Sequence, residues 1–387
     1  MVEGNTIDKS QDIHTWGEFS EIIKGNGVQK VDFVDEGYGC IHYGQIYTHY
    51  GPFTYNTNKF VSKEIFDKAK KASKGDIIMT DTSETVEDIC KSVAYLGNDD
   101  IAVSNHALII KHNQNPKFLS YSTLTDSFFN QKRKVVVGVK VSGIKPEQLA
   151  KIKIYLPSIS EQERIVGILD TFTSSIDNLK QQIAQRRKQY EYYRDQLLDL
   201  EGKEGVEMKK LGDVGEICMC KRIMKEQTSD NGDIPFFKIG TFGGKADAFI
   251  SVELFEEYKN RYSYPKKGEI LISAAGTIGR SVVFDGEDAY FQDSNIVWLA
   301  NNEKVVTNRY LYYFYQIAEW KTDGGTIKRL YNYNLKNKKI PVPSLSEQQR
   351  IVDILDKFEV SIQNLEAQLS QREKQYEYYR NKLLTFE

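Results

Sequence analysis

Two stretches of 45 residues match at 29 positions without a gap: "PSISEQERIVGILDTFTSSIDNLKQQIAQRRKQYEYYRDQLLDLE" from Pro157 to Glu201, and "PSLSEQQRIVDILDKFEVSIQNLEAQLSQREKQYEYYRNKLLTFE" from Pro343 to Glu387. A duplication of this length organises everything between its copies. Each copy opens with a proline and then Ser160-x-x-Glu163 or Ser346-x-x-Gln349, the pattern of a helix start in which a serine caps a backbone N–H and the third residue reaches back. Beyond it the apolar residues Ile165, Leu169, Phe172, Ile176, Leu179, Ile183, Tyr190, Tyr193 and Leu197 recur at alternating spacings of four and three, with Arg186 in one slot. The second copy repeats this with Ile351, Leu355, Phe358, Ile362, Leu365, Leu369, Arg372, Tyr376, Tyr379 and Leu383. Such a period predicts a coiled-coil seam on helices of about 38 residues, roughly 57 Å long.

The heptapeptide "KQYEYYR" is identical in both copies, at Lys188 to Arg194 and Lys374 to Arg380. Tyrosine beside lysine and arginine suits contact with nucleic acid, but Tyr190 and Tyr193 fall on the seam, so helix packing accounts for most of the motif. Tyr192 and the charges flank the seam. A short polar linker, "EGKEGVEMKK", leads from the first helix into the next globular stretch, which ends where the second helix begins. If that stretch is compact with neighbouring ends, the second helix runs back along the first, as an antiparallel pair. The tyrosine-rich end of one helix then faces the smaller Ile351 and Leu355 end of the other.

The segments 1–152 and 202–340, each followed by one helix (153–201 and 341–387), share only landmarks: "WGEFSEI" with "LGDVGEI", and "KGDIIMT" with "KGEILIS". Strand-like runs such as "VVVGVKV" and "SVVF" alternate with helical segments such as "VSKEIFDKAKKA" and "RYLYYFYQIAEW". The fold class is therefore α+β, with two mixed globular domains separated by two long helices in a pseudo-two-fold, cyclic arrangement.

A net charge of −2 does not announce a nucleic-acid binder, so any basic surface is local. Two clusters stand out. In the second domain "GGTIKRLYNYNLKNKK" joins Lys328 and Arg329 to Tyr331 and Asn332; in the first, "NQKRK" supplies Lys132, Arg133 and Lys134. Lysine and arginine neutralise phosphate, while Asn, Gln and Arg present paired hydrogen bonds to base edges; the alternative for either cluster is a solvated loop. The loop "SAAGTIGRS" could set Thr277 and Arg280 against a backbone, but a glycine-rich turn between strands is the simpler reading. "GTFGGKA" has the wrong spacing for a P-loop.

No G-x-S-x-G, H-E-x-x-H or Walker pair is present, nor the Asn/Asp-Pro-Pro-aromatic motif of amino-methyltransferases. The five histidines and four cysteines lack metal-ligand spacing. The chain is expected to do no chemistry and to hold no metal or cofactor. With no apolar run of membrane length and no signal-peptide pattern at its start, it is expected in the cytoplasm.

Two dissimilar domains, each followed by a near-identical helix opening "P-S-[IL]-S-E-Q-x-R-I-V", resemble the specificity subunit of type I restriction-modification enzymes. The resemblance spans essentially the whole chain, and "KGEILISAAGTIGR" looks like the core of a target recognition domain. It implies that 1–152 and 202–340 each read half of a bipartite site in double-stranded DNA, while the helices set the spacer and dock two modification subunits. Those partners would carry S-adenosylmethionine and methylate adenine; restriction subunits, the motor-nucleases, would use ATP and magnesium. The implied contacts are Lys238, Thr277, Arg280, Lys328, Arg329, Tyr331 and Asn332 in the second domain, with His42, Tyr47, Thr82, Ser83, Lys132, Arg133 and Lys134 in the first. Helix-seam and subunit-docking positions are Ile165, Leu169, Phe172, Tyr190, Tyr193, Ile351, Leu355, Phe358, Tyr376 and Tyr379. The first domain departs from the pattern: "DTSETVEDICKS" replaces the glycine loop with an acidic one around Glu84, Glu87 and Asp88. The competing reading is a coiled-coil adaptor whose end domains bind proteins rather than DNA.

Overall fold

A computed structural model of the chain describes residues 12–137, 142–324 and 328–385. Two compact units emerge, one of them built from two separate stretches of the chain. One comprises 1–180 with 367–387, the other 181–366.

In the first unit a five-stranded sheet runs in the order Ser20–Lys24, Ala107–His112, Ile77–Thr80, Ser92–Tyr95, Phe53–Thr54. A second five-stranded sheet holds Phe33–Val34, Lys59–Val61, Tyr38–Ile41, Ile101–Val103 and Lys71–Ala72. The strand Ile77–Thr80 is buried on both faces. Its side chains alternate as a strand's must: Ile77 and Met79 join Trp16, Leu108, Phe118, Leu119 and Tyr121, while Ile78 joins Ile41, Val93, Val103 and Ile109.

The second unit reuses the plan with fewer strands. A four-stranded sheet runs Gly215–Met219, Ile296–Asn301, Ile270–Ser273, Ser281–Val283, beside a three-stranded sheet of Phe249–Ile250, Ile234–Phe237 and Tyr290–Phe291. Ile270 and Ile272 face one core with Tyr310, Tyr313 and Leu335; Leu271 faces the other with Phe255, Phe284 and Trp298. The landmark glycines Gly75 and Gly268 open the two equivalent strands at φ 98° and 89°, a conformation that disfavours any Cβ.

Of the strand-like runs, "SVVF" forms Ser281–Val283. "VVVGVKV" does not form a strand over its described part: Val135 closes the helix Asp126–Val135 and Val137 makes an isolated bridge to Gly143, the rest lying outside the described residues. The helix expected over "VSKEIFDKAKKA" stops at Lys68, and Lys71–Ala72 turns into a strand.

The long helices span Ile159–Leu198 and Leu345–Leu384, each preceded by a strand that pairs antiparallel with the start of its domain: Lys153–Tyr155 with Ile13–Thr15, and Lys339–Val342 with Glu207–Lys210. The cap sits two residues earlier than the sequence pattern suggests. Ser158 and Ser344 accept from the backbone N–H of Glu161 and Glu347, so Ser160 and Ser346 lie inside the first turn. Glu161 and Glu347 turn forward to Arg164 and Arg350 instead of back to the cap.

The next residue holds each helix to its domain. Gln162 is fully buried; its oxygen accepts from Asn115 N–H and its amide donates to Pro157 O and Gln114. Gln348, equally buried, accepts from Thr307 N–H and donates to Pro343 O and Val305 O. Further along each helix, Asp170 receives Lys117 and Tyr121, and Asp356 receives Arg309 and Tyr313.

The helices pair in each unit by the same aromatic device. In the first, Phe172 stacks on Tyr379 (5.4 Å, 27°) and lies 6.5 Å from Tyr376, with Arg372 over its ring. In the second, Phe358 stacks on Tyr193 (5.5 Å, 27°) and lies 6.4 Å from Tyr190, with Arg186 over its ring. The N-terminal half of one helix thus meets the C-terminal half of the other, which is the antiparallel pairing. The tyrosine-rich end of one helix faces the Ile351 and Leu355 end of the other: Tyr190 packs against the core that holds both residues, and Tyr190 and Tyr193 also meet the ring of Phe358. Ile351 and Leu355 turn into the core with Leu198, as Ile165 and Leu169 do with Leu384.

Candidate nucleic-acid interface

In the second unit the backbone brings together segments far apart in sequence. Ala274, at the end of the strand Ile270–Ser273, donates its N–H to Asn295 O and accepts on its own carbonyl from Leu330 N–H. The glycine loop after Ala274, the turn 292–295 and the segment around Arg329 therefore share one edge. A fourth joins through Gln292, whose side-chain oxygen accepts from Ile239 N–H.

Several residues singled out from sequence lie here, and some are already engaged. Arg329 donates to Ser294 O, Ser294 Oγ and Asn295 Oδ1 within 2.8–2.9 Å, fixing a turn in which Ser294 has φ 52°. Arg280 donates to Phe242 O at 2.7 Å, and its N–H bonds to Ser273 Oγ. Thr277 contributes its carbonyl, which accepts from the Ser273 hydroxyl. Lys238 pairs with Asp247 at 2.8 Å. Lys328 is exposed, and Tyr331 is half-open and stacked flat on Tyr333 (5.9 Å, 11°) next to Asn332. Tyr333 and Asn334 both donate to Asp323, and those bonds hold its carboxyl below the usual range. Sequence reading missed Gln292, Asp293, Ser294 and Asn295; Asp293 is paired with Arg222 at 2.9 Å. Only the fold reveals that turn, since no local motif marks it.

The first unit builds the same junction with different side chains. Asp81, the landmark equivalent of Ala274, donates its N–H to His106 O and accepts on its carbonyl from Ile144 N–H. His106 sits at φ 64°, in the turn before the strand Ala107–His112, as Ser294 and Asn295 sit before Ile296–Asn301. Asp81 has a buried carboxylate with Lys24 at 3.0 Å and the Thr82 hydroxyl at 2.8 Å; Thr82 also reaches His106 Nδ1 at 3.2 Å.

Tyr47 donates its hydroxyl to Thr82 O, and burial raises its pKa. Ser83 pairs in register with Ser142. His42 caps the helix Tyr43–Thr48 by accepting from Gly44 N–H; burial, with Lys30 and His106 adding, pushes its pKa down. Tyr47, Thr82 and His106 thus meet beside Asp81, with Ser83 following Thr82 in the same short strand and His42 within electrostatic reach of His106. Lys132 departs from expectation: it is buried, and its ammonium donates to Glu87 O and Ile89 O, which fastens the acidic loop from below. Arg133 and Lys134 remain exposed on their helix.

Among the described residues no group of His, Cys, Asp and Glu could hold a metal ion, and no helix is long and apolar enough to cross a membrane.

Comparison with known proteins gives a consistent result. The model of the type I restriction modification DNA specificity domain matches twice, over residues 12–186 and 203–372. A Haemophilus influenzae protein provisionally named a type I restriction enzyme specificity subunit is 51% identical over 298 residues, covering 73% of this chain and 76% of its own. The Escherichia coli EcoR124I/EcoR124II specificity subunit is 34% identical over 253 residues, 59% of this chain and 60% of its own. Among solved structures, the type I system S subunit from M. genitalium superposes with a TM-score of 0.57 at 15% identity, over 96% of both chains. A chain from a study of assembly and conformational transition of the type I system reaches 0.63 at 17% identity, again over 96% of both.

Proposed function

Since this chain belongs to the family of type I restriction-modification DNA specificity subunits, which recognise DNA and are not themselves catalytic, we propose that its two mixed domains each read one half of a bipartite, asymmetric site in double-stranded DNA. The observation that carries this reading is the repeated backbone junction bearing unlike side chains. Ala274–Asn295–Leu330 and Asp81–His106–Ile144 make the same pair of hydrogen bonds, yet one edge presents Arg329, Asn295 and stacked tyrosines, the other Lys24, Asp81, Thr82 and His106. A common frame with different hydrogen-bonding edges suits two different base sequences.

On this reading residues 1–152 and 202–340 are the target recognition domains, and the helices 153–201 and 341–387 fix the distance between half-sites. Lys328, Tyr331, Asn332, Arg133 and Lys134, open to solvent in whole or part, would make the direct contacts, while Arg329, Arg280 and Lys132 hold loops of their own domains. The exposed Tyr192 and Tyr378, each 58% exposed and related by the repeat, mark two like faces on which two modification subunits dock. Those partners supply S-adenosylmethionine, restriction subunits supply the ATP and magnesium chemistry, and the assembly works on cytoplasmic DNA. Near-neutral charge is compatible with this because partner subunits share the phosphate contacts.

The test is sequencing of modified bases in cells with and without the gene, alongside its modification partner. A bipartite methylated motif that appears only with the gene is expected. An unchanged pattern despite an assembled complex would overturn the reading and favour a protein-binding adaptor.

A further inference from the structure

The repeat creates a pairing problem. Phe172, Arg186, Tyr190 and Tyr193 of the first helix are matched by Phe358, Arg372, Tyr376 and Tyr379 of the second, so the aromatic contacts in the two units are interchangeable. The aliphatic seam is equally degenerate: Ile165, Leu169, Ile176 and Leu179 recur as Ile351, Leu355, Ile362 and Leu365. A first helix could therefore pair with the first helix of a second copy of this chain and keep almost every apolar contact.

The flanking charges are not interchangeable. In the first unit Lys180 meets Glu373 at 3.5 Å; in the second Arg187 meets Glu366 at 2.5 Å. These are the same two repeat positions, since Lys180 aligns with Glu366 and Arg187 with Glu373. The first helix is basic at both and the second acidic at both. Pairing two first helices would set Lys180 against Arg187 twice, and pairing two second helices would set Glu366 against Glu373 twice. Asn381 adds to this: it exchanges two hydrogen bonds of 3.0 Å with Asp126, whereas its counterpart Asp195 would bring a second carboxylate there.

We propose that Lys180, Arg187, Glu366 and Glu373, with Asn381, form a pairing code that directs the first helix onto the second and excludes like-with-like association between copies. Charges flanking a coiled-coil seam choose partners where apolar residues cannot. This does not depend on what the domains recognise.

The test keeps the chain whole. The variant Arg187→Glu/Glu366→Lys/Asp195→Asn preserves two opposite-charge pairs within the chain: Lys180 with Glu373 is untouched, and positions 187 and 366 simply exchange their signs. It also makes each helix complementary to its own copy. After denaturation and refolding at about 100 µM, the variant should form dimers on the order of a tenth of the molecules, given an in-chain effective concentration in the millimolar range. The natural chain should show at least about fivefold fewer by light scattering at low salt. Equal dimer fractions in both would overturn the proposal. The companion Lys180→Glu/Arg187→Glu, in which both in-chain pairs become like-charged, should melt lower than the natural chain and recover when Glu366→Lys/Glu373→Lys is added; an unchanged melting temperature would equally overturn it.

Discussion

Replacing Gln348 with alanine tests what joins a long helix to its domain. The side chain is fully buried and makes three hydrogen bonds, to Thr307 N–H, Val305 O and Pro343 O. A satisfied hydrogen bond contributes about 1 kcal/mol net, and a partner left buried without one costs about 1–3 kcal/mol. Losing all three should therefore remove about 3 kcal/mol, allowing for water entering the space. All four groups lie in the unit 181–366, and for a body of that size each kcal/mol moves Tm by about 2–4 °C. The transition of that unit should fall by about 6–12 °C in calorimetry, with the other nearly unmoved. Hydrogen exchange should accelerate in the helix Asn308–Ile317, whose N-cap is Thr307. Gln348→Glu should do no better at neutral pH, because a carboxylate keeps the Thr307 bond but points an acceptor at two carbonyls. A loss below about 0.5 kcal/mol, or equal shifts in both transitions, would refute the reasoning.

Arg329→Ala should free the turn 292–295 and weaken DNA binding by the assembled complex by about 1–3 kcal/mol, with relaxed preference at one half-site only, as read by competition between sites. Phe358→Ala should cost about 2–3 kcal/mol in the unit 181–366, measured by denaturant midpoint, since it removes two ring contacts and the seat of Arg186. Burial pushes His112 down, as it does His42, and all five histidines lie in the first unit. The unfolded chain then takes up these protons first, so the first unit loses stability as the pH falls through about 6.5, and more so than the second. His112→Gln should narrow that difference between about pH 7.5 and 5.5; an identical acid shift in both units would exclude the effect.

The helices were legible because a heptad pattern is local and the repeat displays it twice. Phe172 and Phe358 could be placed on the seam from spacing alone, but their ring partners needed the geometry of the pair. Ser158 and Ser344 were hidden by better-looking motifs two residues later. Gln162 and Gln348 read as ordinary polar residues at a helix start, because what buries them is a loop more than 40 residues away in sequence. The candidate interface was legible only in part for the same reason. Lys132 looked like a phosphate ligand by composition, and its burial under Glu87 and Ile89 comes from tertiary packing. The turn 292–295 carried no motif, whereas Tyr331 and Asn332 stood out by type.

The end of each long helix has a further consequence. Leu198 packs with Leu211 and Ile340, and Leu384 packs with Trp16 and Ile154, which are the matching landmarks of the other unit. Residues 199–206 thus bridge a gap equivalent to the one between Leu384 and the strand Ile13–Thr15. A circular permutant that joins those ends with a copy of this linker and opens the chain at Gly205 should keep both units, because the fold treats the two junctions as interchangeable.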